Sequence, residues 1–330
     1  DSVKLFLQTE HDHLFGVIED ARSFAHEARS GKPVILVVLA GRRPVFMREV
    51  YVAVDCLVPA LSEPPPMDIR LLAIDLDGTL LDPDREIPPR HRDALQQAVA
   101  AGITVVFASG RVARTMRPYA EALGIAPAMV CCNGAHVLAA DGTEILHQHL
   151  DKGAVDAALR VARSVDLQLN LYSRETLFFG HVTPMRDLYL RRVRVLTAEA
   201  PPNGDFSSVP VTKLLFVGEP EKLERIHDNP DRYGPFPGAS VARSEPEYLE
   251  LLPSEANKGR GLATLSEALG VSSTQVAAVG DYWNVLEMLQ WAGFSGAMAS
   301  APDGVRAAAD VVVPTSREGR LAEFVERLLS

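Results

Sequence analysis

The sequence predicts an α/β fold, a doubly wound parallel sheet interrupted midway by an α+β insertion. Short apolar runs alternate with helical stretches over residues 69–132 and again over 258–329. The connections between them are brief, as right-handed crossovers require, and the alternation lapses over about residues 150–252.

Taken in order, residues 15–29 are expected to be a helix, with Phe15, Ile18, Phe24 and Ala25 as apolar positions and Gly31-Lys32-Pro33 stopping it. Residues 34–39 and 50–54 are strand candidates. Ser62-Glu63-Pro64-Pro65-Pro66 is a stiff connector, so residues 1–66 are set apart as an accessory or fused segment. Residues 67–149 are the first part of the core, 150–252 the insertion and 253–330 the second part. A strand through Ile74 leads by a turn to a helix from Pro88-Pro89 to about Ala100, with Leu95, Ala98 and Val99 as its apolar positions. Strands at 103–108 and 129–132 flank a helix reaching about Leu123. In the insertion, a helix at 154–165 precedes short strands at 169–172, 177–179, 193–196 and 214–217. A helix at 221–227 and strands at 241–244 and 249–251 follow. The return begins with a helix at 258–269, a strand at 276–279 and a helix at 284–292. A strand at 295–299, a helix at 304–308, a strand at 311–313 and a helix at 321–329 complete the chain.

Of the 330 residues, 47% are hydrophobic and 23% charged, ordinary for a globular enzyme, and the formal net charge is -10. That balance argues against a nucleic-acid surface and leaves room for a local pocket for a small anion. No run approaches the roughly 20 apolar residues that cross a bilayer, so no membrane partner is expected. Three cysteines make no disulfide framework, and the chain opens on Asp1 without a basic-then-apolar start. A cytoplasmic setting, as a monomer or homodimer, is the expectation.

The candidate site centres on Asp75-Leu76-Asp77-Gly78-Thr79, directly after the apolar run Leu71-Leu72-Ala73-Ile74. Alternation points both carboxylates to one side, at the strand edge where α/β proteins bind ligands. Asp75 is placed to attack phosphorus. Asp77 is near enough to protonate a leaving alcohol and later to activate water. Ser109, with Gly110 and Arg111, ends another strand where a hydroxyl and backbone N–H groups can cradle phosphate. Lys258 opens a helix and supplies positive charge. Asp281 ends a third strand and, with the Asp75 carboxylate and the Asp77 carbonyl, makes an oxygen-rich set suited to Mg2+. His147 and His149 lack a third ligand at useful spacing and read as histidines between domains. Cys131-Cys132 reads as strand-end core.

These segments, in order, resemble the haloacid dehalogenase superfamily, specifically its Cof-like phosphatases, over about residues 67–329. Asp75-Leu76-Asp77-Gly78-Thr79 resembles the first motif, Ser109 in Ala108-Ser109-Gly110-Arg111 the second, Lys258 in Asn257-Lys258-Gly259 the third and Gly280-Asp281 the fourth. Asn133, in Cys132-Asn133-Gly134-Ala135, stands where the family contacts substrate or phosphate. The resemblance implies catalysis by Asp75 and Asp77, and a metal site of Asp75, Asp77 and Asp281. It implies substrate or phosphate contacts from Thr79, Ser109, Gly110, Arg111, Asn133, Lys258 and Asn284. The family pattern Gly-Asp-x-x-Asn-Asp is broken at Val285, which implies weakened rather than abolished metal chemistry. The inserted segment corresponds to the family's α+β cap, where Tyr172, Arg174, Arg186 and Tyr189 are candidates for choosing the leaving group. The implied function is magnesium-dependent hydrolysis of a small phosphorylated metabolite, a sugar phosphate first, through an aspartyl phosphate. A phosphosugar mutase and a catalytically weakened phosphometabolite-binding protein are the alternatives.

Overall fold

The computed structural model describes residues 5–6, 17–18, 37–38, 68–193, 197–233, 235–314 and 321–329. The chain divides into two compact units, Asp1–Pro66 and Met67–Ser330. In the first, strands β1 (Leu5–Phe6), β2 (Val17–Ile18) and β3 (Val37–Val38) pair antiparallel in the order β2-β1-β3. The helix expected over residues 15–29 is therefore wrong at Val17 and Ile18, whose β-branched side chains suit an extended backbone. The rest of that span and the strand candidate at 50–54 lie outside the described residues.

The second unit is built on an eight-stranded sheet. Its strands are β4 (Leu71–Ile74), β5 (Thr104–Ala108), β6 (Ala128–Cys131), β7 (His136–Leu138) and β8 (Glu144–His147). Far along the chain come β15 (Val276–Gly280), β16 (Phe294–Met298) and β17 (Val311–Val313). The order is β17-β16-β15-β4-β5-β6-β7-β8. All pairs from β17 to β6 are parallel, and β6-β7-β8 is an antiparallel run that the sequence reading did not anticipate.

Alternation along β4 divides its side chains between two clusters. Leu72 and Ile74 pack with helices α1 (Pro89–Ala100) and α2 (Ala113–Leu123) and with the C-terminal helix Leu321–Leu329. Leu71 and Ala73 pack with helices of the other face, which contribute Leu262, Leu265, Met288, Leu289 and Val305. With both faces covered, β4 is continuously apolar, as a central parallel strand must be. In α1 the buried positions are His91, Ala94, Leu95 and Ala98, whereas Val99 is exposed.

Between β8 and the return of the core lies the cap. It contains α3 (Lys152–Val165), β9 (Gln168–Ser173), β10 (Thr176–His181), α4 (Met185–Val193), β11 (Ala198–Glu199) and β12 (Lys213–Val217). Helices α5 (Pro220–Asp228) and α6 (Pro230–Tyr233) and strands β13 (Ala239–Glu245) and β14 (Tyr248–Pro253) follow. They form a sheet in the order β11-β10-β9-β12-β14-β13. Val193 ends helix α4 rather than opening a strand, and residues 194–196 lie outside the described residues. On β12, Leu214 and Phe216 pack into the cap's own core, while Leu215 and Val217 join the apolar cluster shared with the eight-stranded sheet. The same split places Asn170 and Tyr172 of β9 and Glu250 of β14 on the core-facing side.

The core resumes with α7 (Lys258–Leu269), whose Asn257 N-cap side chain accepts the Arg260 N–H at 2.8 Å. Such a cap contributes about 1 kcal/mol and sets where the helix starts. The helix expected over 284–292 is a 3-10 turn, Trp283–Val285, running into α8 (Leu286–Trp291). Helices α9 (Asp303–Ala307) and α10 (Leu321–Leu329) close the second unit.

Candidate active site

Around β4 the strand order reverses: β5 and β6 lie to one side, β15 to β17 to the other. Loops leaving β4 and β15 diverge there, making the crevice in which α/β sheets hold ligands. Asp75 follows β4 and Asp281 follows β15, so two carboxylates far apart in the chain arrive at one place. The Asp75 N–H donates to the Val279 carbonyl at 3.0 Å, which ties the two loops together.

Asp75 is 5% exposed. Its Oδ1 accepts the Leu76 N–H at 2.8 Å and the Lys258 ammonium at 2.7 Å. Lys258 is wholly buried at the first position of α7. A buried ammonium requires a counter-charge, and Asp75 supplies it. The Asp281 carboxyl is pushed up to about 7, first by burial and then by the Asp75 carboxylate beside it. Gly78 turns the chain at φ +79°, and a Cβ there would collide with Asp281 Oδ2, so only glycine lets the two loops close. The Thr79 hydroxyl is buried and has no hydrogen-bond partner.

Asp77 is exposed and is held by Arg111, with Nε on Oδ2 at 2.9 Å and Nη2 on Oδ1 at 2.5 Å. The guanidinium in turn lies over the Tyr119 ring, 5.4 Å from its centroid. Ser109 Oγ accepts the Arg111 N–H at 3.3 Å. Gly110 lies against the Asn133 amide, and Asn133 Oδ1 accepts from Asn284 Nδ2 at 3.2 Å. Gly134, at φ +98°, brings this turn onto the Asn257 backbone at the start of α7. The ten candidate residues of the core motifs thus lie together at one edge of the sheet.

Val285, by contrast, is fully buried among Leu71, Ala73, Leu262 and Met288. A Cβ on Gly280 would lie 2.5 Å from its Cγ1, so Val285 is a packing residue beneath the Asp281 loop.

The cap candidates fare differently. Tyr172 and Tyr189 are buried with their hydroxyls hydrogen-bonded to each other, and Arg174 holds Glu144 at 2.6 and 2.9 Å. Arg186 pairs with its neighbour Asp187 at 2.9 Å. His147 Nε2 lies 2.6 Å from Thr212 Oγ1, and its ring is 6.3 Å from that of His149. Burial pushes the Cys132 thiol up to about 12, which fits a packing role rather than a nucleophile. The sequence reading missed Lys213. The signal was a lone lysine at an inward register position of the apolar strand Lys213-Leu214-Leu215-Phe216-Val217.

Among the described residues no group of three or more His, Cys, Asp or Glu side chains could hold a metal. The oxygen-only pair of Asp75 and Asp281, its repulsion relieved on one side by Lys258, nonetheless fits a hard divalent cation, with water completing the shell.

Residues 72–325 match the haloacid dehalogenase-like hydrolase family, and the chain belongs to it. A putative phosphatase of Bacillus subtilis, YxeH, is 29% identical over 282 residues, covering 79% of this chain and 98% of its own. The 5-amino-6-(5-phospho-D-ribitylamino)uracil phosphatase YcsE of the same organism is 28% identical over 273 residues, covering 78% and 95%. A haloacid dehalogenase-like hydrolase from Bacteroides thetaiotaomicron shares the fold with a TM-score of 0.70 at 29% identity, covering 79% of this chain and 99% of its own. The chain is an enzyme of the Cof-like branch, a phosphatase of small phosphorylated metabolites. Among the described residues no helix is long and apolar enough to cross a membrane.

Proposed function

We propose that the chain hydrolyses a sugar or polyol phosphate through a phosphoryl group carried on Asp75. One observation carries this reading: Asp75 stands at the switch point with Oδ1 fixed by the buried Lys258 ammonium at 2.7 Å, beside Asp281. A carboxylate held in this way is a positioned nucleophile.

An Asp75 carboxylate oxygen bonds to phosphorus as the bond from phosphorus to the ester oxygen breaks, and Asp77 gives that oxygen its proton. Asp77 then takes a proton from water. The water oxygen bonds to phosphorus as the bond to Asp75 breaks, releasing inorganic phosphate and restoring the Asp75 carboxylate and the protonated Asp77 carboxyl. Lys258, the Thr79 and Ser109 hydroxyls and the N–H groups around Gly110 bind the phosphoryl oxygens, and Asn133 and Asn284 border them. Arg111 orients Asp77. Asp75, Asp281 and the Asp77 carbonyl would hold Mg2+, which when bound neutralises charge on the phosphoryl group. The cap over the site excludes bulk water. The relative that acts on a phosphoribityl compound supports a hydroxyl-rich leaving group.

The test is phosphate release with Asp75→Asn beside the native chain. Turnover should vanish in the variant while its circular dichroism and Mg2+-free melting curve remain those of a folded protein. Undiminished release by Asp75→Asn would overturn the nucleophile assignment.

A further inference from the structure

The cap carries a buried charge pair that the chemistry above does not use. Lys213 Nζ lies 2.8 Å from Glu250 Oε1, and both residues are less than one-tenth exposed. Removing two charges from water costs free energy that their attraction rarely exceeds, so stability alone is a poor reason for the pair. Its position is more informative. Lys213 is on the core-facing side of β12, and its ammonium also donates to the Gly110 carbonyl at 3.0 Å. Gly110 sits between Ser109 and Arg111, against the Asn133 amide. Lys213 is therefore the cap's cation at the loop assigned to the phosphoryl group.

An ammonium has three N–H donors, and two of Lys213's are accounted for. Beside it on the same sheet face, Tyr172 is its register partner, and Asn170 is fully buried with its Nδ2 unpartnered. Unpartnered buried donors are costly unless something polar arrives to accept from them. A ligand rich in hydroxyls answers this need, since each hydroxyl both donates and accepts.

We propose that Lys213 reads the leaving group: held between Glu250 and the Gly110 carbonyl, its ammonium donates its third N–H to a hydroxyl oxygen of a polyhydroxylated leaving group, with Asn170 donating to another. This rests on the hydrolysis at Asp75 argued above. The ester enters with the cap raised, and cap closure brings both donors down onto it.

The experiment compares kcat/KM for ribitol 5-phosphate and for 4-nitrophenyl phosphate, whose leaving group has no aliphatic hydroxyl. The native chain should prefer the polyol ester. In Lys213→Met the ratio of the two values should fall about 10- to 100-fold, the range expected on losing a hydrogen bond from a charged donor. Lys213→Arg, which keeps charge and donors, should recover part of the ratio. If Lys213→Met does not fold, Glu250→Gln, which removes the anion holding Lys213, should lower the same ratio. An unchanged ratio in whichever of these variants folds, or a native chain without preference, refutes the proposal while leaving the phosphatase reading intact. If the native chain releases phosphate from neither ester, the hydrolytic reading fails and this inference falls with it.

Discussion

Replacing Lys258 by Met separates what the ammonium does for the fold from what it does for the chemistry. Lys258 is wholly buried, 2.7 Å from Asp75 Oδ1, and the next carboxyl, Asp281, is already raised to about 7 by burial and by Asp75. Methionine fills nearly the same volume, so packing is largely retained and the change isolates charge. Removing one partner of a buried pair typically costs about 3 to 5 kcal/mol, because the other charge is left uncompensated. At roughly 2 to 4 °C per kcal/mol for a unit of this size, the melting temperature should drop by on the order of 6 to 20 °C in chelator at pH 7.5. The double variant Lys258→Met with Asp75→Asn should recover roughly 1 to 3 kcal/mol, since it removes the orphaned carboxylate as well. Turnover in the single variant should fall about 100- to 1000-fold, the usual effect of deleting one group that stabilises charge in a transition state. Urea unfolding of the four proteins of the cycle, together with phosphate release from the single variant, reads all of this. A Lys258→Met chain that loses less than about 1 kcal/mol, or a double variant no more stable than the single, would show that the pair is not buried in the way described.

Three further outcomes follow from the same contacts. Val285→Asp, suggested by the family pattern, puts a carboxyl into an apolar cluster beneath Gly280. It should cost about 3 kcal/mol in urea unfolding; stability equal to that of the native chain would contradict the packing described. Gly78→Ala must hold φ +79° and displace the Asp281 carboxylate, at about 1 to 2 kcal/mol for the backbone alone; it should lose most turnover, and native-like kinetics would show the loops are not closed on each other. Finally, burial, then Arg174 and His136, pushes His147 down to about 4. The unfolded chain therefore binds this proton more tightly, so His147's contribution is whole above pH 6.5 and is lost as pH falls to 4. His136, lowered by burial, adds loss of the same sign, and Glu144, held down to about 2 chiefly by Arg174, adds its own between pH 4.5 and 2. Thermal melts at pH 7.5 and 5 should show a smaller loss for His147→Gln than for the native chain, and equal losses would remove His147 from the account.

The sequence by itself determined most of the alternation of strands and helices in the core and picked out ten candidate residues at the strand ends, though not the antiparallel β6-β7-β8 run or the extended pairing of Val17 and Ile18. Apolar runs, a glycine turn, an N-cap and the polar residues just past strand ends are local features, legible without knowing what lies opposite. Helix α7 begins at Lys258 because Asn257 caps it, a relation spanning three residues. Only the tertiary structure decided how these pieces face one another. Lys258 and Asp75 are 183 positions apart and meet because β15 pairs beside β4. Val285 reads as a missing ligand in the family pattern, yet its side chain is core, since the 3-10 turn aims it under Gly280. Tyr172 and Tyr189, cleft candidates through the family resemblance, are buried with their hydroxyls on each other, a contact between β9 and α4 that no local pattern shows. Lys213 became visible only when two sheets came together, because burial of a charge is a property of what surrounds it.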